Sequence, residues 1–286
     1  MLNLGLRLRQ GKHAYFPLDT IQDAQFATSL DKLYTGVNKT IRVTRDLDLA
    51  EKDIGFVGSR IDEQALLNFA GDSSLYINTR YDQSGNGNHA TQATLENMPR
   101  IVNEGVIERE PLTGKIMPFF DGVDDFIEIA DAVGLDGFTE GFTVITKSKT
   151  LDIEKRQNIA AKYQTEGNQR AWHVDYGAAQ SNRFTLYFSP DGTEFSRLLI
   201  LAPDVSLPVI FGATWESNVS FKAYVEGQLL RTNQTNYIQM ASSNEPVLIG
   251  KASHDLGREY HGYIDDIIIF NRALTESEIE RLSNRL

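Results

Sequence analysis

Phe119-Phe120-Asp121-Gly122-Val123-Asp124-Asp125-Phe126-Ile127-Glu128-Ile129 reads as a tight Asp/Gly turn that runs straight into a strand with two unlike faces. Gly122 reaches the backbone angles such a turn demands, and Phe126, Glu128 and Ala130 alternate with Ile127 and Ile129 at a period of two. Ahead of this stretch the patterns are mixed. Behind it they are β throughout: strand-like runs recur at Phe142–Lys147, Gln157–Tyr163, Ala171–Tyr176, Arg183–Phe188, Arg197–Leu201, Val209–Trp215, Val219–Val225, Pro246–Lys251 and Tyr263–Phe270. Regular spacing of that kind predicts an all-β sandwich or jelly roll. Glu226-Gly227 is a two-residue hairpin turn with Gly where the backbone needs it. At the end of the chain, Thr275 and Glu278 form a capping box for a helix that Leu274 and Ile279 would fix to the sandwich.

The earlier part predicts a short strand over His13–Asp19, a short helix or irregular cover up to Tyr34, and a half-exposed strand over Thr40–Arg45. A charged solvent loop over Asp46–Asp53 follows, then a helix capped by Asp62 and ended by Gly71, then a strand over Leu75–Tyr81. Asp82-Gln83-Ser84-Gly85-Asn86-Gly87-Asn88 is turn chemistry, and the alternate oxygens of Asp82, Ser84, Asn86 and Asn88 also suit a hard cation such as calcium.

With 286 residues, 41% hydrophobic, 15 Phe, 11 Tyr and only 8 Pro, the chain can fill a sizeable core, as one large β domain or two smaller ones. The net charge of -11 repels a phosphate backbone, and no basic stripe offsets it, so nucleic acid is not an expected partner. There is no cysteine, hence no disulfide and no thiolate metal site. No apolar run approaches the roughly 18 residues of a membrane span, and the opening Met1–Lys12 lacks the core of a signal peptide, which predicts a chain made and left in the cytoplasm unless it leaves by lysis or another route. Leu2, Leu4, Leu6 and Leu8 alternate with polar residues, so residues 1–12 form either an arm that adds to a neighbouring sheet edge or a first edge strand.

Two stretches resemble known families. The part 119–286 resembles a laminin-G-like, concanavalin A-type domain in Phe120–Ile129, Phe142-Thr143-Val144, the Tyr224–Leu230 hairpin and Gly262–Ile279. The part 13–118 is similar to the N-terminal portion of the catalytic domain of fungal-type α-L-arabinofuranosidase B in Ile41-Arg42-Val43, Asp53–Val57 and Tyr81–Asn88. Both resemblances imply one concanavalin A-like jelly-roll sandwich over 13–286, two antiparallel sheets with a few short helices. The arabinofuranosidase family carries a vicinal cysteine pair beneath its substrate; this chain has no cysteine. A pairing of these two pieces without the catalytic half resembles tail and other structural proteins of tailed bacteriophages. That resemblance implies a non-catalytic virion protein of tail, fibre or capsid decoration. It would be a homo-oligomer, in contact with other virion proteins and with a host-surface glycan. The alternatives are an arabinofuranosidase-like glycoside hydrolase and a free lectin.

For hydrolysis, two carboxyl groups must face each other about 5–5.5 Å or roughly 6.5–9.5 Å apart. The candidates are Asp175, near Trp172, and Glu216, beside Trp215; solvated strand ends explain both equally. For carbohydrate binding the candidates are Trp172, Tyr176 and Tyr187, since sugar rings stack on aromatic faces. Trp172, Val174 and Tyr176 also share one face at period two, which a sandwich core explains, and Trp215 reads as packing. A structural calcium, implied by the concanavalin-like resemblance, would take Asp19 with Asp265 or Asp266, or else Asp82. Alternation places Asp265 and Asp266 on opposite faces unless a bulge intervenes.

Overall fold

The computed structural model describes residues 16–178, 181–201, 204–254 and 257–286. The expected arm over 1–12 lies outside them, as do His13, Ala14 and Tyr15. Two antiparallel layers face each other. In the front layer the strands run in the order Ser196–Leu201, Ser181–Phe188, Gln169–Ala178, Gln157–Gln164, Val247–Ile249, Ile127–Ile129, Ala90–Thr91, Leu75–Arg80, Lys39–Arg45 and Glu51–Val57. In the back layer the order is Gln228–Gln234, Ser220–Val225, Val209–Glu216, Gly141–Thr150 and His261–Phe270. Ala24–Thr28 lies along the far half of that last strand, and Phe119–Asp121 along its near half. Arg100–Asn103 pairs with both Leu75–Arg80 and Phe119–Asp121, so it joins the two layers. Strands from both parts of the sequence therefore share the same sheets.

Alternation builds the core. Trp172, Val174 and Tyr176 point inward and meet the inward residues of the back layer: Phe142 lies 5.4 Å from Trp172, and Phe188 lies 4.8 Å from Trp215, between ring centroids. The back layer's other face is covered by the helix Glu276–Ser283, whose Ile279 and Leu282 pack with Ile145, Ile268 and Phe270. Its Thr275–Glu278 capping box is present as expected. The Glu226-Gly227 turn has φ of 50° and 77°, the pair of positive angles of a type I′ hairpin.

Several local expectations are corrected. Over His13–Asp19 the described part is a helical turn, Pro17–Thr20: proline starts it and Asp19 accepts the Phe16 N–H at 2.9 Å. The segment before Tyr34 contains the strand Ala24–Thr28 rather than a helix, held by backbone pairing to the last strand. The charged run Asp46–Asp53 is strand from Glu51 onward, because Asp53 meets Arg42 at 2.7 Å and Lys39 at 2.5 Å across the hairpin and need not sit in solvent. The helix after Asp62 is as expected: Glu63–Ala70, with the Asp62 carboxylate accepting Ala65 N–H and Gly71 closing it.

In the organising stretch, Phe119–Asp121 and Ile127–Ile129 are the strands and Gly122–Phe126 the turn. Gly122 is required twice over. Its φ is 80°, and a Cβ there would come 2.6 Å from the Cβ of His261. Asp121 accepts Val123 N–H at 2.8 Å and Asp125 accepts Asp121 N–H at 2.9 Å, so both carboxylates hold the turn.

Candidate functional site

The residues singled out from sequence do not form one site. Trp172 and Tyr176 are fully buried, with the Trp172 indole donating to Leu135 O at 2.9 Å. Alternation correctly put them on one face, and that face is the core; no sugar reaches them. Replacing Trp172 with alanine is expected to cost about 3–5 kcal/mol in chemical denaturation, as a large core deletion does; a loss below about 1 kcal/mol would contradict the core assignment. Tyr187 points the other way and is half-buried, its ring 4.2 Å from that of His173 and 5.4 Å from that of Phe195. Asp175, also on the outer side, is buried and clamped by Arg156 at 2.6 Å. Burial raises its pKa to about 6 against the pull of Arg156. Glu216 is exposed at the end of a back-layer strand. Asp175 and Glu216 thus belong to opposite layers and are not brought together as an acid pair.

The expected calcium ligands have other partners in the structure. Asp19 caps its own helical turn and accepts Thr35 N–H and Oγ1–H at 3.0 and 2.5 Å. Asp82 is saturated: Ala27 N–H, Ser84 N–H, Ser84 Oγ–H and Asn88 N–H all donate to it, so it organises the loop. A bulge does occur at Asp265. Lys147 pairs with Asp266 and Ser148 with Ile264, and both acids are buried among cations. Lys115 Nζ lies 3.0 Å from Asp265 and 3.6 Å from Asp31, while Arg80 donates to the backbone oxygens of Ile264 and Asp265. The Lys115 ammonium lies between the early acid Asp31 and Asp265 of the last strand. Burial alone would raise Asp265; Lys115, Arg80 and Lys147 hold it below the usual carboxylate range. Asp266 is pushed to about 7 by burial and by Asp265.

A cavity that sequence reasoning missed is lined by the organising stretch itself. Cross-strand register places Tyr76 opposite Arg100, Arg100 opposite Phe119 and Phe119 opposite Tyr263, a row on the outer side of the strands that join the layers. The Arg100 guanidinium lies 5.2 Å from the Phe119 ring centroid and is held by Glu108 at 2.7 Å. Tyr76, Arg100 and Phe119 line a cavity of about 250 Å³ together with Asp46, Leu95, Glu96, Asp121 and Asp125. Tyr76 and Phe119 are half-buried, so aromatic surface remains open. The carboxylates of Asp121, Asp124 and Asp125 offer oxygens within 4.8 Å of one another. Burial and then the neighbouring Asp121 raise Asp125 to about 8. The arrangement combines aromatic faces, a fixed guanidinium, acceptor carboxylates and a neutral carboxyl able to donate. These are the groups that a polyhydroxylated ring uses.

The fold is a lectin-like β-sandwich. The chain belongs to the laminin-G-like family described as the concanavalin A-like lectin/glucanases superfamily, matched over residues 121–280. Among solved structures it is similar to an arabinofuranosidase complexed with arabinofuranosyl-alpha-1,2-xylobiose, at TM-score 0.69 and 14% identity, covering 91% of this chain and 61% of that one. It is also similar to the binding domain of Paraclostridial Mosquitocidal Protein 1, at TM-score 0.54 and 15% identity, covering 74% and 51%. A third is the ligand-binding domain of Botulinum neurotoxin serotype D in complex with N-acetylneuraminic acid, at TM-score 0.51 and 11% identity, covering 86% and 50%. The chain thus spans about half to three fifths of those structures' length, and at such identities the likeness is one of fold. No curated protein matches by sequence.

Proposed function

We propose that the protein is a non-catalytic adhesion component of a phage particle, in tail, fibre or capsid decoration, that binds a host-surface glycan. The observation that carries the binding part is the cavity in which Tyr76 and Phe119 present aromatic surface beside Arg100, Asp121 and Asp125. The virion part is supported by the pairing of an arabinofuranosidase-B-like part with a laminin-G-like part, as in phage structural proteins. In that setting the chain is made in the host cytoplasm and assembles as a symmetric homo-oligomer among other virion proteins.

The test is a glycan array followed by titration of the best ligand, using wild type, Tyr76→Ala and Phe119→Ala. Each variant is expected to weaken binding at least tenfold, about 1.4 kcal/mol, while the folded signal remains. The protein is also expected to co-sediment with particles. Array-wide silence would remove the glycan role. Release of sugar from arabinosides, lost in Asp175→Asn, would replace adhesion by hydrolysis.

A further inference from the structure

One side of the sandwich ends in two open edges. Ser196–Leu201 closes the front layer and Gln228–Gln234 the back layer, and among the described residues each pairs with a strand on one side only. Arg231 reaches from the second edge to the first, its guanidinium donating to Leu199 O at 2.9 Å. Beside that bridge lies a groove of about 550 Å³ lined by Arg183, Leu199, Ile200, Leu201, Leu230 and Arg231. Leu201 is 65% and Leu230 52% exposed, although both belong to strands. An open edge that carries exposed apolar side chains invites a second chain. The charge of the groove has one sign. Arg183 and Arg231 line it, Arg197 stands on the same edge strand, and among the described residues no carboxylate pairs with any of the three. The Nε of Arg183 is buried without an acceptor. Two copies joined groove to groove about a two-fold axis would set these arginines against one another, so the complement lies elsewhere on the surface. The opposite edge of the same front layer supplies it. There the hairpin of Lys39–Arg45 and Glu51–Val57 ends in Leu47-Asp48-Leu49, with the leucines 77% and 62% exposed. Its tip carries Arg45 against Asp46, Asp48 and Glu51, and the stem cations Lys39 and Arg42 are taken by Asp53.

We propose that this groove receives the Leu47–Leu49 hairpin tip of a second copy of the chain, leucine against leucine and the acids of the tip against Arg183, Arg197 and Arg231. This interface rests on the oligomer reading above and gives it a surface; the glycan reading is separate. The giving and receiving surfaces sit at opposite edges of one layer, so each copy gives a tip and takes one. The contact is head-to-tail, and it closes into a ring or runs on as a filament. Burial of the four exposed leucines supplies affinity, while the charges decide which surfaces meet.

Sedimentation velocity of the intact protein across a concentration series, at about 0.15 M salt, reads the assembly. Leu47→Asp spoils the tip and Leu201→Asp spoils the groove, and each is expected to weaken self-association at least tenfold. Both positions are exposed, so the fold is expected to survive, which circular dichroism and the melting temperature check. Mixing the two variants is the decisive arm. The intact tip of Leu201→Asp fits the intact groove of Leu47→Asp, one contact forms, and the mixture stops at dimers. Arg183→Glu is expected to weaken assembly as the groove variant does, while Val133→Asp, at a fully exposed valine outside both surfaces, is expected to change nothing. An oligomer that survives Leu47→Asp and Leu201→Asp, a mixture of the two that holds monomers only, or equal dissociation by Val133→Asp overturns this interface and leaves the oligomer reading standing. A wild-type protein that stays monomeric up to its solubility limit overturns both.

Discussion

Asp265→Ala is expected to destabilise the fold by about 3–5 kcal/mol, the cost of leaving buried charge without its partner. The substitution removes the acceptor of Leu30 N–H at 3.2 Å and strips Lys115 of its closest carboxylate. Lys115 then keeps Asp31 at 3.6 Å and the Leu286 carbonyl oxygen at 2.9 Å, a weaker set for a largely buried ammonium. Lys115→Met is expected to be similarly harmful, since it leaves Asp265 and Asp266 facing each other with Lys147 and Arg80 alone. The double variant Asp265→Leu with Lys115→Met should recover part of the loss, because it removes both charges from the interior. Urea denaturation of the four proteins measures this. Additive losses, or a single-variant loss under about 1 kcal/mol, would show that the ion pair is solvated and that the burial assigned to it is wrong.

The second large effect concerns Asp125 and runs with pH. Its folded pKa is raised to about 8, so the folded state holds a proton that the unfolded chain releases near pH 4. The stabilisation linked to that proton is full below about pH 4 and declines as pH rises, until it is gone above about pH 8. Four units at 1.36 kcal/mol each set a ceiling of about 5 kcal/mol, and a turn that can open to water will deliver a fraction of it. Asp125→Asn keeps an acceptor for Asp121 N–H and cannot ionise. It is therefore expected to be less pH-dependent than wild type between about pH 4 and 8, and more stable than wild type at about pH 9. The groups facing Asp125 are Asp121 and Asp124 from its own turn and Arg100 from the neighbouring strand. Asp266 is also raised, so the informative quantity is the difference between variant and wild type in melting temperature across pH. Parallel curves would overturn the prediction.

Much of the fold was legible because its signals are local. The Thr275–Glu278 box, the Glu226-Gly227 turn and the strict alternation through Trp172, Val174 and Tyr176 each depend on residues a few positions apart. What alternation cannot say is which face will be covered. Trp172 and Tyr76 are both strand aromatics, and only packing between the layers decides that the first is core and the second lines a cavity. The cavity was hidden for a related reason. Tyr76, Arg100 and Phe119 become neighbours through cross-strand register, and the strand Arg100–Asn103 that brings them together is too short to show a period. Position 265 fails for a different cause: a one-residue bulge reverses the facing of every side chain beyond it, and no residue in Ile264-Asp265-Asp266 announces it. The acids of the organising stretch, by contrast, read well as turn formers, and the structure adds that the same turn borders a cavity.

The ammonium of Lys115 also has a consequence for where the protein can be used. A cation supplied by the solvent binds with an occupancy set by its concentration, and the part of the fold it supports weakens when that concentration falls. A cation carried on a side chain has no such dependence. The junction of Asp31 with the last strand is therefore expected to hold unchanged on adding chelator or on dilution.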